Sequence, residues 1–148
     1  MTRIASRIAR LGLAGSVMLS MAMPAVSATR PDQPVQAWPA MAGVPVEVLL
    51  ERAQTLPLSE MAAGDQPYCA ADAEIHQTLE HDFAEAPVAG TGPAAIGQDA
   101  TELWASDQMG TWTLVAPRAD GTSCIIASGI GYDAGRDVEV YFHTAGLR

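Results

Sequence analysis

An early segment of the chain, PVEVLLERAQTL, has apolar residues at the spacing of one helix face. The apolar positions begin at Val46 and recur every three or four residues as far as Leu56. Pro45 suits the first turn of a helix, and Pro57 ends the run. The pattern predicts a first amphipathic helix in this segment.

A stronger helical pattern follows in CAADAEIHQTLEHDFAEAP. Ile75, Leu79 and Phe83 recur every fourth residue, while the opposite side is acidic and polar. We expect a second helix that begins at about Cys69, ends before Pro87 and turns this apolar face towards a core.

From Thr101 onwards the period of the apolar positions changes to two, which is typical of half-buried strands. The connections between the first three segments are short, and Gly110 and Gly121 stand where a hairpin needs a positive φ. Four strands are predicted, at 101–106, 111–117, 122–128 and 137–144.

Helices followed by consecutive hairpins predict an α+β fold, with two N-terminal helices packed on a four-stranded antiparallel meander sheet. If Gly110 and Gly121 each close a three-residue loop, one sheet face seats the second helix. That face would carry Trp104, Trp112, Leu114, Cys124 and Ile126. A two-residue turn at Gln108-Met109 would put Leu103 there in place of Trp104, because a one-residue slip turns a strand over.

The first 28 residues have the three parts of a secretory signal peptide: three arginines, an uncharged apolar run, and compact residues at Val26 and Ala28. We expect cleavage after Ala28 and export to the periplasm by the general secretory route, because no arginine pair precedes the run. No stable membrane insertion is expected afterwards. The mature chain would comprise an extended lead-in at 29–44 and a single domain at 45–148.

The charge balance is acidic and excludes some classes of partner. The chain contains no lysine and has a formal net charge of −9, which becomes −12 once the three signal-peptide arginines are removed. Nucleic acid binding needs clustered cations to displace phosphate counterions, so we exclude it. A basic periplasmic protein is the kind of partner that this charge favours.

The cysteine count predicts one disulfide. Cys69 and Cys124 are the two cysteines of the chain, and exported proteins form disulfides in an oxidising compartment. The bond would join the sheet to the segment just before the second helix. A catalytic thiol needs a base beside it, and no residue pattern places a histidine next to Cys124.

Candidate catalytic chemistry is sparse. His76 and Glu80 lie four residues apart on the second helix, but the next histidine, His81, misses the H-E-x-x-H spacing. A zinc site needs three or four convergent ligands, so we interpret this stretch as a solvated helix face. No nucleophile elbow, phosphate loop or dinucleotide fingerprint is present. We expect no enzyme activity, no metal and no cofactor, with a small metal-dependent or acid-catalysed hydrolase as one alternative.

The segment SGIGY resembles the S-G-x-x-Y loop motif of the periplasmic inhibitors of c-type lysozyme. Ser128, Gly129 and Tyr132 carry the resemblance. In that family the loop enters the lysozyme cleft, so the resemblance implies a contact loop here and an inhibitor as another alternative function. The second motif of the family, Y-x-x-x-T-K-G, is absent from this chain.

A broader resemblance covers roughly residues 69 to 132. Cys69, the helix after it, and the segments ELWAS, GTWTLVAPRADGTSC and ASG are similar to small exported proteins of alphaproteobacteria with no established activity. The resemblance implies compartment and fold, and it carries no catalytic residue. The sequence therefore predicts a non-enzymatic binding or interaction module, with the exposed strand faces and the loop from Gly129 to Arg136 as its contact surface.

Overall fold

The described part of the chain forms an α+β fold with an antiparallel sheet. The computed structural model describes residues 34–41, 43–59, 67–88 and 101–147, so the predicted signal peptide lies outside the described residues. The helices are α1 (Val46–Ala53), α2 (Asp72–Asp82) and α3 (Glu139–Thr144). The strands are β1 (Gln36–Pro39), β2 (Cys69–Ala71), β3 (Ala86–Pro87), β4 (Glu102–Ser106), β5 (Thr111–Pro117) and β6 (Thr122–Ile130).

Strand β6 organises the sheet. The main path of the sheet runs β1-β6-β5-β4-β3, and β2 also pairs with β6. Strand β2 pairs with residues 122–124 and β1 with residues 127–130. The two short strands therefore lie end to end along the same side of the longest strand.

The hairpin between β5 and β6 confirms the predicted three-residue loop. Arg118 and Thr122 close it through a 2.8 Å hydrogen bond from the Arg118 N–H to the Thr122 carbonyl. Gly121 ends the loop with a φ of +78°, a conformation that glycine adopts without steric cost.

The hairpin between β4 and β5 differs from the preferred register. Ser106 pairs with Thr111 and Leu103 with Leu114, so four residues form the loop. Gly110, with a φ of +66°, still closes it. The prediction that Trp104 shares a face with Trp112 and Leu114 is wrong: Leu103 occupies that face, as the alternative register expected.

One face of the sheet packs against α1 and α3, and we call it the disulfide face because Cys69 and Cys124 lie in its core. Trp112, Leu114 and Tyr141 are fully buried there. From α1, Val46, Leu49 and Ala53 contribute, at the spacing that the sequence predicted.

The opposite face packs against α2, and we call it the α2 face. Ile75 and Leu79 of α2 are buried against Trp104 and Val115. The expectation that α2 packs on the face of Trp112 and Cys124 is therefore also wrong. The helix covers only part of this face, because it ends at Asp82 rather than just before Pro87.

The predicted fourth strand at 137–144 is instead the short helix α3. Just before it, the Asp137 carboxylate accepts a hydrogen bond from the Glu139 N–H at 3.1 Å. Tyr141 is fully buried, whereas Val140 is exposed. The sequence of this segment is compatible with the period of a strand and with that of a helix, and the packing of Tyr141 in the core favours the helix.

The counts of two helices and four strands are thus replaced by three helices and six strands in the described residues. The extra strands are short: β1 lies in the predicted lead-in, β2 replaces the expected first turn of the second helix, and β3 follows that helix. No helix in these ranges is long and apolar enough to cross a bilayer.

Candidate functional site

A cavity of about 270 Å³ opens on the α2 face, beyond the end of α2. Its floor is sheet: Thr111 and Thr113 of β5, together with Ser128 and Ile130 of β6. The cross-strand pairs Thr111–Ile130 and Thr113–Ser128 place these four side chains on one face of the sheet. We call this cavity the Glu85 pocket, after the carboxyl that lines it.

Glu85 reaches the pocket because the chain reverses after α2. Ala84 has a φ of +52°, in the left-handed region that non-glycine residues seldom adopt. The Glu85 N–H then donates to the carbonyl of Leu79 at 2.9 Å, which fixes the reversed segment under the helix end. The Glu85 side chain is 2% exposed as a result.

The electrostatics of Glu85 are those of a buried and poorly paired carboxyl. Burial raises the pKa of Glu85 above its ordinary value of 4.5, and the nearby hydroxyls of Thr111 and Thr113 lower the pKa by less. The two threonine hydroxyls lie close enough to affect the pKa, but Glu85 Oε2 and Thr111 Oγ1 are buried and neither makes a hydrogen bond of acceptable geometry. Such atoms are rare in folded proteins, because each one loses its water without compensation.

The rim of the pocket is apolar and accessible. Trp38, Phe83 and Ile130 line the pocket, although their exposed fractions are 47%, 49% and 43%. Trp38 pairs with Ser128 across the β1–β6 ladder, so it stands at the β1 side of the pocket. Three exposed large apolar side chains around one buried carboxyl make this cavity a candidate functional site.

The predicted contact residues Ser128, Gly129 and Tyr132 do not form one surface. Ser128 is exposed on the α2 face and lines the Glu85 pocket. Gly129 lies within β6, paired with Trp112. Tyr132 is 9% exposed and packs with Tyr141 in the core of the disulfide face, with 5.1 Å between the ring centroids.

Tyr132 also lines a second cavity, of about 430 Å³, along the β3–β4 side of the sheet. Ala86, Pro87, Asp107 and Gln108 contribute to its lining. None of the buried, unpartnered polar atoms belongs to its described lining residues. This cavity therefore has the larger volume, and the polar side chains among its described lining residues include no buried atom without a hydrogen-bond partner.

The helix residues considered for a metal site all lie on α2 but have different surroundings. The His76 ring stacks on Trp104 with 4.6 Å between centroids, and its Nε2 lies 3.4 Å from Glu102 Oε2. Glu102 Oε2 also accepts a hydrogen bond from the Trp104 indole N–H at 3.1 Å. Glu80 and His81 remain exposed. No group of three potential metal ligands converges within the described ranges.

The disulfide between Cys69 and Cys124 is formed, as predicted. The two cysteines are directly paired residues of β2 and β6. The guanidinium of Arg118 lies 3.1 Å from Cys69 Sγ and 2.7 Å from Cys124 Sγ, and it donates to the Leu56 carbonyl at 2.8 Å. The disulfide is buried in the core, so neither cysteine is an accessible, reactive thiol.

Sequence reasoning missed Glu85, the central residue of the candidate site. It is one of 17 acidic residues, and the sequence pattern places its segment in the second helix. The reversal at Ala84 carries no glycine or asparagine that would have indicated a left-handed turn. Phe83, predicted to face the core, is exposed at the pocket rim for the same reason.

Comparisons with protein-family models, with curated proteins and with solved structures find no match to this chain. The resemblance to small exported proteins of alphaproteobacteria stays a prediction. Function is therefore inferred from the geometry of the site.

Proposed function

We propose that this protein is a non-enzymatic binding protein of the periplasm that takes its ligand in the Glu85 pocket. The observation that carries the proposal is the Glu85 carboxyl, 2% exposed, in an open cavity that Trp38, Phe83 and Ile130 surround. A concave apolar site with a few polar groups is the usual form of a small-molecule site. The disulfide is consistent with an oxidising compartment.

Binding fits this pocket better than catalysis does. Glu85 is the one titratable side chain among the pocket-lining residues that the structure describes. Acid–base catalysis usually sets two titratable groups to different roles, and nucleophilic catalysis needs a nucleophile with a base beside it. A lone carboxyl with neighbouring hydroxyls can hold and orient a ligand.

The pocket overlaps the predicted contact surface in part. Ser128 and Gly129 line it, so the exposed strand face of β6 stays in the proposal. Tyr132 and the residues after it do not line it. The proposed contact surface therefore moves from the loop after β6 to the α2 face of the sheet.

Ligand retention tests the proposal. Folded protein is incubated with a metabolite extract and gel-filtered, and the bound compounds are identified by mass spectrometry. The rim variant Trp38→Ala/Ile130→Ser is compared with Val140→Ser, which alters an exposed apolar residue on α3. We expect wild type and Val140→Ser to retain the same compound, unchanged in mass, and the rim variant to lose it. Retention by none or by all, or conversion of the compound, would contradict the proposal.

A further inference from the structure

Two oxygen atoms in the Glu85 pocket are left without a hydrogen-bond donor. Glu85 Oε2 and Thr111 Oγ1 are both buried, both lack a hydrogen-bond partner, and both belong to residues that line the same cavity. A carboxylate oxygen only accepts hydrogen bonds, and a hydroxyl oxygen can accept as well. A ligand that brings several N–H donors and no acceptor would satisfy both atoms at once.

An ammonium group has this inventory, with three donors and no acceptor. The following inference rests on the proposed function. We propose that the Glu85 pocket selects a compact organic cation, which consists of an ammonium group on an apolar body. Its N–H groups would donate to Glu85 Oε2 and Thr111 Oγ1. The ion pair would return to the buried carboxylate the stabilisation that it loses on leaving water.

The remainder of the lining fits the apolar body of such a ligand. Leu79, Phe83, Ile125 and Ile130 provide aliphatic and aromatic surface. The volume, about 270 Å³, is just below the range of sites for drug-sized ligands, which limits the body to roughly one ring or a short chain. Trp38 and Phe83 also offer aromatic faces that attract a cation at close range.

The charge of the protein favours a cationic ligand over an anionic or a neutral one. The chain has a formal net charge of −9, so its field draws cations in and repels carboxylates. No cationic side chain occurs among the described lining residues, so an anionic ligand would find no partner. A neutral ligand with an acceptor oxygen would pair with protonated Glu85, and this is the competing outcome in the test.

The test is calorimetric titration of the folded protein at neutral pH with 2-phenylethylamine. The probes 2-phenylethanol and phenylacetate present the same apolar body with a neutral and an anionic group. We expect the amine to bind about tenfold or more tightly than the alcohol, and phenylacetate to bind most weakly. Amine affinity should fall as pH is lowered, because Glu85 takes up a proton while the amine stays charged; the described lining residues add no other titratable group.

Two near-isosteric variants identify the contacts. Glu85→Gln should weaken amine binding about tenfold or more, and Thr111→Val should weaken it by a smaller factor. Near-ultraviolet circular dichroism verifies that both variants fold. Equal affinity for amine and alcohol, unchanged amine binding by Glu85→Gln, or no binding of the amine would each overturn the cation assignment. If the alcohol or phenylacetate binds in place of the amine, and the rim variant abolishes that binding, the cation assignment is wrong but the binding function stands. The ligand-retention experiment tests the binding function independently.

Discussion

The indole of Trp112 packs directly on Gly129, its cross-strand partner in the β5–β6 ladder. A Cβ added at Gly129 would lie 2.5 Å from two indole carbons of Trp112 and would also collide with the carbonyl oxygen of Gln36. An aromatic side chain that covers a glycine in this way repairs the packing that the glycine lacks. Gly129 is therefore a packing residue of the disulfide face.

This contact predicts that Gly129→Ala is destabilising. The added methyl group must displace Trp112 or strand β1, and overpacking of this kind costs about 1–3 kcal/mol of unfolding free energy. Urea unfolding measures the change. Ser128→Ala, at the neighbouring exposed position of β6, is the matched control and should change stability by about 0.5 kcal/mol or less. Equal stability of the two variants would contradict the packing role.

Burial of Glu85 predicts a pH-dependent stability. Because burial raises the pKa of Glu85 in the folded state, the folded protein binds this proton more tightly than the unfolded chain does. Its contribution is therefore fully present below the ordinary pKa of 4.5, and it is lost as pH rises through the raised value. Glu85→Gln removes that loss, so we expect the variant to gain stability over wild type as pH rises.

Thermal unfolding across a pH series checks this expectation. Glu80→Gln removes a carboxyl from the exposed surface of α2 and serves as the control. The Tm difference between Glu85→Gln and wild type should widen from acid to neutral pH. A difference that stays constant with pH, or that widens towards acid, would show that the Glu85 carboxyl is not destabilised by burial.

The buried disulfide predicts a large loss of stability when it is removed. Cys69→Ala/Cys124→Ala should lower the unfolding free energy by about 2–5 kcal/mol, because the unfolded chain is no longer cross-linked. Denaturant unfolding of wild type and variant gives the difference. Mass measurement after alkylation without reductant is the accompanying control, and labelling of both cysteines in folded protein would contradict the bond.

Trp38 should dominate the quenchable fluorescence of the protein. It is 47% exposed, whereas Trp104 and Trp112, the other two tryptophans of the chain, are 3% and 0% exposed. We expect Trp38→Phe to abolish most of the acrylamide quenching at 295 nm excitation, with Phe83→Leu as a control that leaves it nearly unchanged. Undiminished quenching in Trp38→Phe would mean that a core tryptophan is accessible.

The two hairpins illustrate how far turn chemistry predicts register. Gly121 and Gly110 both end their loops at positive φ, yet one loop has three residues and the other four. In the longer loop, the Ser106 hydroxyl accepts a hydrogen bond from the Met109 N–H at 3.1 Å. A terminal glycine is compatible with both lengths, so the sequence located each turn without determining which face Trp104 occupies.

Elements that depend on tertiary contacts were harder to predict. The segment of α3 alternates like a strand, but it forms a helix in which Tyr141 is buried and its hydroxyl donates to the Asp133 carbonyl at 3.0 Å. The candidate site depends on the same kind of information. Glu85 is buried in the pocket only because the chain reverses at Ala84 and because strands lie beneath it. The sequence near Glu85 indicates neither of these features.

The shared side of β6 has a consequence for the order of folding. Both β1 and β2 complete their hydrogen bonding on β6, a strand far along the chain from either of them. Because synthesis proceeds from the N-terminus, Gln36 is made long before its partner Ile130. The hydrogen-bonding edge of strand β1 stays unpaired until β6 is available. Contacts of such long range slow folding. The pocket wall that contains Trp38 therefore forms only after residues 127–130 have been synthesised.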